Sequence, residues 1–194
     1  MKYPNGIKKD KKRETCFSNR GMKLESELND TNKYYLNLNI ACIHKKPTPI
    51  KVVDVYYKSC KEAVITKAYF EKQSTLDYNG IYKGKYIDFE AKETKNSNYF
   101  PLKNIHTHQI KHMEKVIQMN GITFLIIRFS SLNLTFYLDG SKLLSFIEKN
   151  DRKSIPVSYF KEHGIQILDK LRPTIDYIKV IDDLYFKGGI YENK

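Results

Sequence analysis

The sequence predicts an α/β fold, and three features carry that expectation. Segments with the apolar spacing of helices alternate with short runs rich in branched and aromatic residues. One run, "GITFLIIRF" (Gly121–Phe129), is apolar almost without a break, as a strand covered on both faces requires. The 194 residues are 41% hydrophobic, enough to core one domain rather than two and too apolar for a disordered chain.

The elements follow in chain order. "LESELNDTNKYYLN" (Leu24–Asn37) spaces Leu24, Leu28 and Tyr35 as one helical stripe, with Glu25 early in that helix and off the stripe. Strand-like "NIACIH" comes next. The segment His44–Ser74 opens with Pro47 and Pro49, which suggests a projecting hairpin or stalk rather than a central strand. It interleaves Lys51, Lys58, Lys61, Lys67 and Lys72 with Tyr56, Tyr57, Tyr69 and Phe70. Lysines contact phosphates and aromatic rings stack on unpaired bases. An ordinary β-excursion with its aromatics in the core fits the same pattern. "HTHQIKHMEKVIQ" (His106–Gln118) reads as a helix burying Ile110, Met113, Val116 and Ile117. His108 and His112 stand four apart on it, yet no third metal ligand stands near and the HExxH frame is missing. Surface or DNA-facing histidines are the better reading. "LTFYLD" pairs with the buried strand or follows it, "DRKSI" is a basic loop, and helices at about Ser141–Lys149 and Ile175–Phe186 complete the domain.

The stretch "TLDYNGIYKGKYIDFEAK" (Thr75–Lys92) carries the chemistry. From Tyr86 to Thr94, Ile87, Phe89 and Ala91 fall on one face of a strand, and Asp88, Glu90 and Lys92 on the other. Lys83-Gly84 makes a plausible two-residue turn. Its register sets Asp77 across from Glu90 and Thr75 across from Lys92, with facing Cβ atoms roughly 4.5–5.5 Å apart. Two facing carboxylates repel unless a cation lies between them. Mg²⁺ takes one or two carboxylates plus water and phosphate oxygens. A bound ion of that kind activates water and neutralises charge on a phosphate, while Lys92 orients the water or stabilises the transition state. The triplet acid-x-Lys is common in so lysine-rich a chain, recurring at Asp10/Lys12 and Glu93/Lys95, and an exposed salt-bridged strand face is the competing reading.

Composition adds a partner. Lys and Arg number 34 against 22 Asp and Glu, a net +12 that implies nucleic acid first and an acidic membrane surface second. Residues 1–23 hold eight basic residues, Arg20 among them, against Asp10 and Glu14, a net +6 and half of the total. They read as a flexible basic arm. No apolar leader segment is visible, and the longest apolar run is far below the ~20 residues of a membrane span. Cys16, Cys42 and Cys60 are scattered, without CxxC, and fit reduced thiols in the cytoplasm.

Taken together, "TLDYNG…YIDFEAKETKN", "ACIHKKPTPI", "FSNRGMKLE", "IHTHQIKHM" and "RPTIDYI" resemble the RecU family of Holliday-junction resolvases, in order, from Tyr3-Pro4-Asn5-Gly6 to the last helix. The resemblance implies a restriction-endonuclease-like mixed β-sheet flanked by helices, with the active site of the PD-(D/E)xK nucleases and a single domain over residues 24–194. Asp77 then matches the first half of the motif, and Glu90 and Lys92 the second. Thr75 and Gln109 match positions associated with the Mg²⁺ site, where Mn²⁺ substitutes, and Glu25 matches an acidic residue on the first helix. The family also implies a homodimer, a stalk at 44–74 that enters the open centre of a four-way junction, and the RecA recombinase as a further partner. Lys45, Lys46, Lys51, Lys58, Lys61, Lys95 and Arg20 are the expected DNA contacts. Leu76 departs from the broader nuclease motif, where many such enzymes carry proline before the aspartate. The alternative function is a non-catalytic junction-binding protein that modulates RecA; a nuclease of plain duplex is a second rival.

Overall fold

Lys83 and Gly84 both take positive φ, 45° and 75°, which is the backbone of a type I′ hairpin turn. That turn joins β4 (Tyr78–Tyr82) to β5 (Lys85–Thr94) in the register Tyr82↔Lys85 through Tyr78↔Phe89, as the sequence predicts. One further step along the same register sets Asp77 opposite Glu90.

The computed structural model describes residues 22–59, 61–71 and 75–187. Arg20 and the rest of the predicted arm up to residue 21, together with Cys16 and Cys60, lie outside the described residues. The first helix, α1 (Met22–Asn37), leads into β1 (Cys42–Lys45), which is shorter than "NIACIH" because Asn39 turns the chain at φ 53°. A long hairpin follows, β2 (Ile50–Ser59) and β3 (Glu62–Phe70). After β4 and β5 come β6 (Tyr99–Pro101), a 3₁₀ turn at Leu102–Asn104 and α2 (Thr107–Gln118). Then follow β7 (Ile122–Phe129), β8 (Leu134–Asp139), α3 (Gly140–Lys149), β9 (Ser154–Pro156), α4 (Val157–His163), β10 (Ile165–Ile167) and α5 (Tyr177–Ile181). The last expected helix is split. Its first two residues are not helical, and Asp182–Phe186 continues α5 as a π-helical turn.

Six strands form one mixed sheet in the order β1-β4-β5-β7-β8-β10. Only β5 and β7 run parallel, joined by the crossover through α2; every other pairing is antiparallel. Gly80 lets β1 and β4 approach, since a Cβ there would meet Cys42 O at 2.0 Å. All of β7 is buried, as its unbroken apolar sequence requires.

The sheet separates two cores. Leu24, Leu28 and Tyr35 of α1 and Tyr177, Ile178 and Ile181 of α5 cover one face, with Ile87, Phe89, Phe124 and Ile126 beneath them. Met113 of α2, Leu143 and Phe146 of α3, and Phe160 of α4 cover the other, over Leu125, Ile127 and Leu138. On the α1 face, rings stack across four strands from Tyr78 to Phe89, Phe124 and Tyr137, with centroids 4.7, 4.6 and 4.4 Å apart. Such pairs add to plain area burial and stiffen β5 from behind its acidic face.

The hairpin β2–β3 stands apart as its own two-stranded sheet, none of whose described residues is buried. Tyr56, Tyr57, Tyr69 and Phe70 are all exposed, Phe70 at 84%. The reading that put these aromatics in a core is therefore wrong. Register shifts after Val52 and Tyr57 mark bulges, which increase a ribbon's twist.

Candidate active site

Alternation along β5 sends Asp88, Glu90 and Lys92 to the α2 face, where Ile87 and Phe89 are turned away into the opposite core. The β4–β5 turn then brings Asp77 alongside. Asp77 N–H donates to Glu90 Oε2 at 3.1 Å, and Lys92 Nζ pairs with Glu90 Oε1 and lies 3.9 Å from Asp77 Oδ2. Glu90 is fully buried, whereas the side chains of Lys92 and Asp77 are 29% and 24% exposed. The cluster thus has a sealed end and an open end.

The open end is a cleft of about 250 Å³ lined by Glu25, Lys45, Asp77, Tyr78, Ala91 and Lys92, among others. Glu25 arrives from the first turn of α1 and pairs with Lys45 at 2.5 Å. The Tyr78 hydroxyl is buried and has no hydrogen-bond partner.

Burial pushes the Glu90 carboxyl up to about 7; the Lys92 ammonium pulls against that, and Asp77 adds to it. Glu90 Oε1 is also sealed from water and accepts no aligned hydrogen bond, with the lysine ammonium as its neighbour. The lysine offsets the burial of this carboxylate only in part, and a hard cation between Glu90 and Asp77 would offset the rest. The donors are hard oxygens. Among the described residues no three His, Cys, Asp or Glu side chains cluster into a cage for a metal. Mg²⁺ needs none, because it completes its shell with water and phosphate oxygens. Asp77 and Glu90 therefore suit such an ion.

The other expected site residues scatter. Thr75 is half-buried beside Leu76 at the start of the hairpin and does not line the cleft. Gln109 is buried in the first turn of α2, where its Oε1 caps the helix by accepting from His106 N–H at 2.9 Å. Lys51, Lys58 and Lys61 are exposed on the long hairpin, and Lys95 is exposed just past β5. Lys46 is engaged elsewhere: its ammonium donates to both oxygens of Asp88, at 2.9 and 3.1 Å.

Asp88 is the residue that sequence reasoning missed. It is fully buried and also accepts from Tyr86 Oη at 2.8 Å, with His112 Nε2 at 2.7 Å. His112 is thus half-buried and engaged by Asp88 rather than free on the surface, while His106 and His108 stack on each other. The signal was present: an acid two residues before Glu90 on a face covered by a helix must find donors.

Two buried or half-buried acids and an ammonium around one cleft are the donor set of a site that holds a hard divalent cation against a phosphate. That is the class the fold and site define: an α/β protein with a metal-compatible acidic centre at the end of its sheet. Residues 19–183 match the family described as Recombination protein U, RecU. Similar relatives include the Holliday junction resolvases RecU of Bacillus cytotoxicus and Bacillus mycoides, each 50% identical over 197 residues, covering 96% of this chain and 98% of the relative. The RecU of Bacillus thuringiensis is 49% identical over the same span. The chain belongs to the RecU family.

Proposed function

We infer that this chain is an endonuclease of homologous recombination and DNA repair that resolves four-way DNA junctions. The observation that carries the reading is the contact of Asp77, Glu90 and Lys92 beside an open cleft. Relatives named as Holliday junction resolvases, matched over nearly the full chain, support the substrate.

The sheet, its flanking helices and the acid…Glu-x-Lys arrangement support a restriction-endonuclease-like core of the PD-(D/E)xK kind, with one nuclease domain following the basic arm. Asp77 and Glu90 would hold Mg²⁺, or Mn²⁺ in its place, with the Ala91 carbonyl, Thr75 and Gln109 as the further donors of this reading. The ion supplies activation of water and neutralisation of charge on the phosphate. Glu90 is held in place by burial, by the Asp77 N–H on one oxygen and by the Lys92 ammonium beside the other. Lys92, anchored at Glu90 and half-open to the cleft, directs its ammonium to the attacking water or to a non-bridging phosphate oxygen. Water adds to phosphorus and gives up a proton to solvent, the bond to the 3′ oxygen breaks and that oxygen takes a proton from solvent, leaving a 5′-phosphate and a 3′-hydroxyl.

The long hairpin is the stalk of this reading. Its rings and lysines are bare on both faces, which suits insertion into the open centre of a junction. A C₂ homodimer supplies the two symmetric nicks that resolution into intact duplexes needs. The protein acts on cytoplasmic DNA; no helix among the described residues is long and apolar enough to cross a membrane. A non-catalytic binder that modulates RecA would leave the Glu90–Lys92–Asp77 cluster, with its buried acid, without a use. Chelation separates the two readings: EDTA stops cleavage and spares the gel shift if the chain is a nuclease, whereas a pure binder never cuts.

A further inference from the structure

The hairpin β2–β3 leaves the sheet and returns to it at one place. Its outgoing strand departs after Lys46, through Pro47, and its return leads into Asp77. These two residues face each other one step beyond the last pair of the β1–β4 ladder, Lys45↔Tyr78, and Lys46 N–H donates to Asp77 O at 2.8 Å. Among the described residues this rung is where the hairpin meets the sheet, and one half of it is the acid of the candidate site. Further out, Glu71 N–H donates to Pro49 O at 2.9 Å and closes the hairpin's base.

The Lys46 side chain ties this rung to the sheet interior. Its ammonium reaches past β4 to both oxygens of Asp88, which is also met by Tyr86 and His112. Asp88 stands two residues before Glu90 on the same face of β5. Lys46 thus holds Asp77 by its main chain and is itself held, by its side chain, to the strand that carries Glu90. Both acids are referred to one residue at the root of the hairpin.

We propose that Lys46 is a positioning residue: clamped by Asp88, it sets the Asp77–Glu90 geometry and couples the seating of the hairpin in a junction to the assembly of the catalytic site. The proposal rests on the nuclease reading above and gives Lys46 a role other than phosphate contact. A clamp of this kind acts on the reacting geometry rather than on affinity. A misplacement of the order of an ångström costs about a hundredfold in rate, whereas the exposed hairpin lysines that meet DNA are untouched.

The test compares wild type, Lys46→Met and Lys46→Arg in the full-length protein. Four-way junction affinity is measured in EDTA, single-turnover cleavage at saturating junction with Mg²⁺, and amide hydrogen exchange over the peptide spanning residues 42–47 in the metal-free protein. In Lys46→Met, affinity stays within about twofold, the cleavage rate falls about tenfold to a hundredfold, and exchange over the neck quickens; Lys46→Arg restores rate and protection. If Lys46→Met does not fold, Lys46→Met combined with Asp88→Asn removes the unmatched buried charge and carries the same comparison. Affinity falling in step with rate would make Lys46 a DNA contact and overturn the proposal, as would unchanged exchange with unchanged rate. Failure of the underlying reading looks different: wild type itself would not cut junctions with Mg²⁺, while the exchange comparison would still report on the clamp.

Discussion

The main-chain N–H of Asp77 donates to Glu90 Oε2 at 3.1 Å, so the two acids of the cleft are joined through backbone as well as through their shared cation, Lys92. Asp77→Ala removes a carboxylate and keeps that N–H. Glu90 then stays seated, and the loss is confined to chemistry. Junction cleavage with Mg²⁺ should fall about a thousandfold or more, with junction affinity in EDTA close to wild type. Cleavage near the wild-type rate would remove Asp77 from the site.

Lys92→Ala tests the other partner. The ammonium pairs with a fully buried carboxylate and is partly open to the cleft, the position from which the proposed mechanism turns it on the reaction rather than on the docking of DNA. Turnover is expected to drop about a hundredfold or more with little change in junction affinity. Equal loss of both in a titrated cleavage assay would assign it to phosphate anchoring.

The raised pKa of Glu90 has a consequence for stability. In the metal-free protein burial lifts this carboxyl from 4.5 to about 7, so the folded state binds the proton more tightly than the unfolded chain. Its stabilising contribution is complete below the unfolded value and is lost as pH rises through about 7. Glu90→Gln removes the dependence. Melting curves in EDTA should therefore show the variant gaining on wild type between these two pH values; parallel curves would mean that Glu90 is not held in an apolar setting.

The long hairpin lies outside the six-stranded sheet and none of its described residues is buried, so it contributes little to the core. Replacing residues 48–73 by a short glycine-serine linker keeps Lys46 and Asp77. Far-UV circular dichroism should lose only the hairpin's share, and junction affinity should fall about tenfold or more through the lost phosphate contacts. Junction cutting at the full rate would contradict the stalk reading.

Much of this was legible because it is local. The Lys83-Gly84 turn fixes a register, and a register fixes which side chains share a face, so Asp77 opposite Glu90 followed from a dozen residues. The apolar stripe of α1 and the buried strand β7 were legible for the same reason, and the α2 stripe in part: Met113 and Val116 are buried, while Ile110 and Ile117 are only half-buried. The short strands β6, β9 and β10 and the helix α4 escaped, since three to seven residues give no readable period. The Asp88 cluster escaped for a different reason. Its donors come from Lys46, Tyr86 and His112, 42, 2 and 24 residues away, and only the folded sheet brings them together. Lys46 looked like one more basic residue in a basic segment.

The most direct measurement sets a four-way junction against a linear duplex of the same sequence, each with Mg²⁺ and with EDTA. The account predicts paired, symmetric nicks in the junction alone, dependent on the metal, and a gel shift that survives chelation. Cutting in EDTA, equal cutting of the duplex, or a bound junction that is never cut would contradict it.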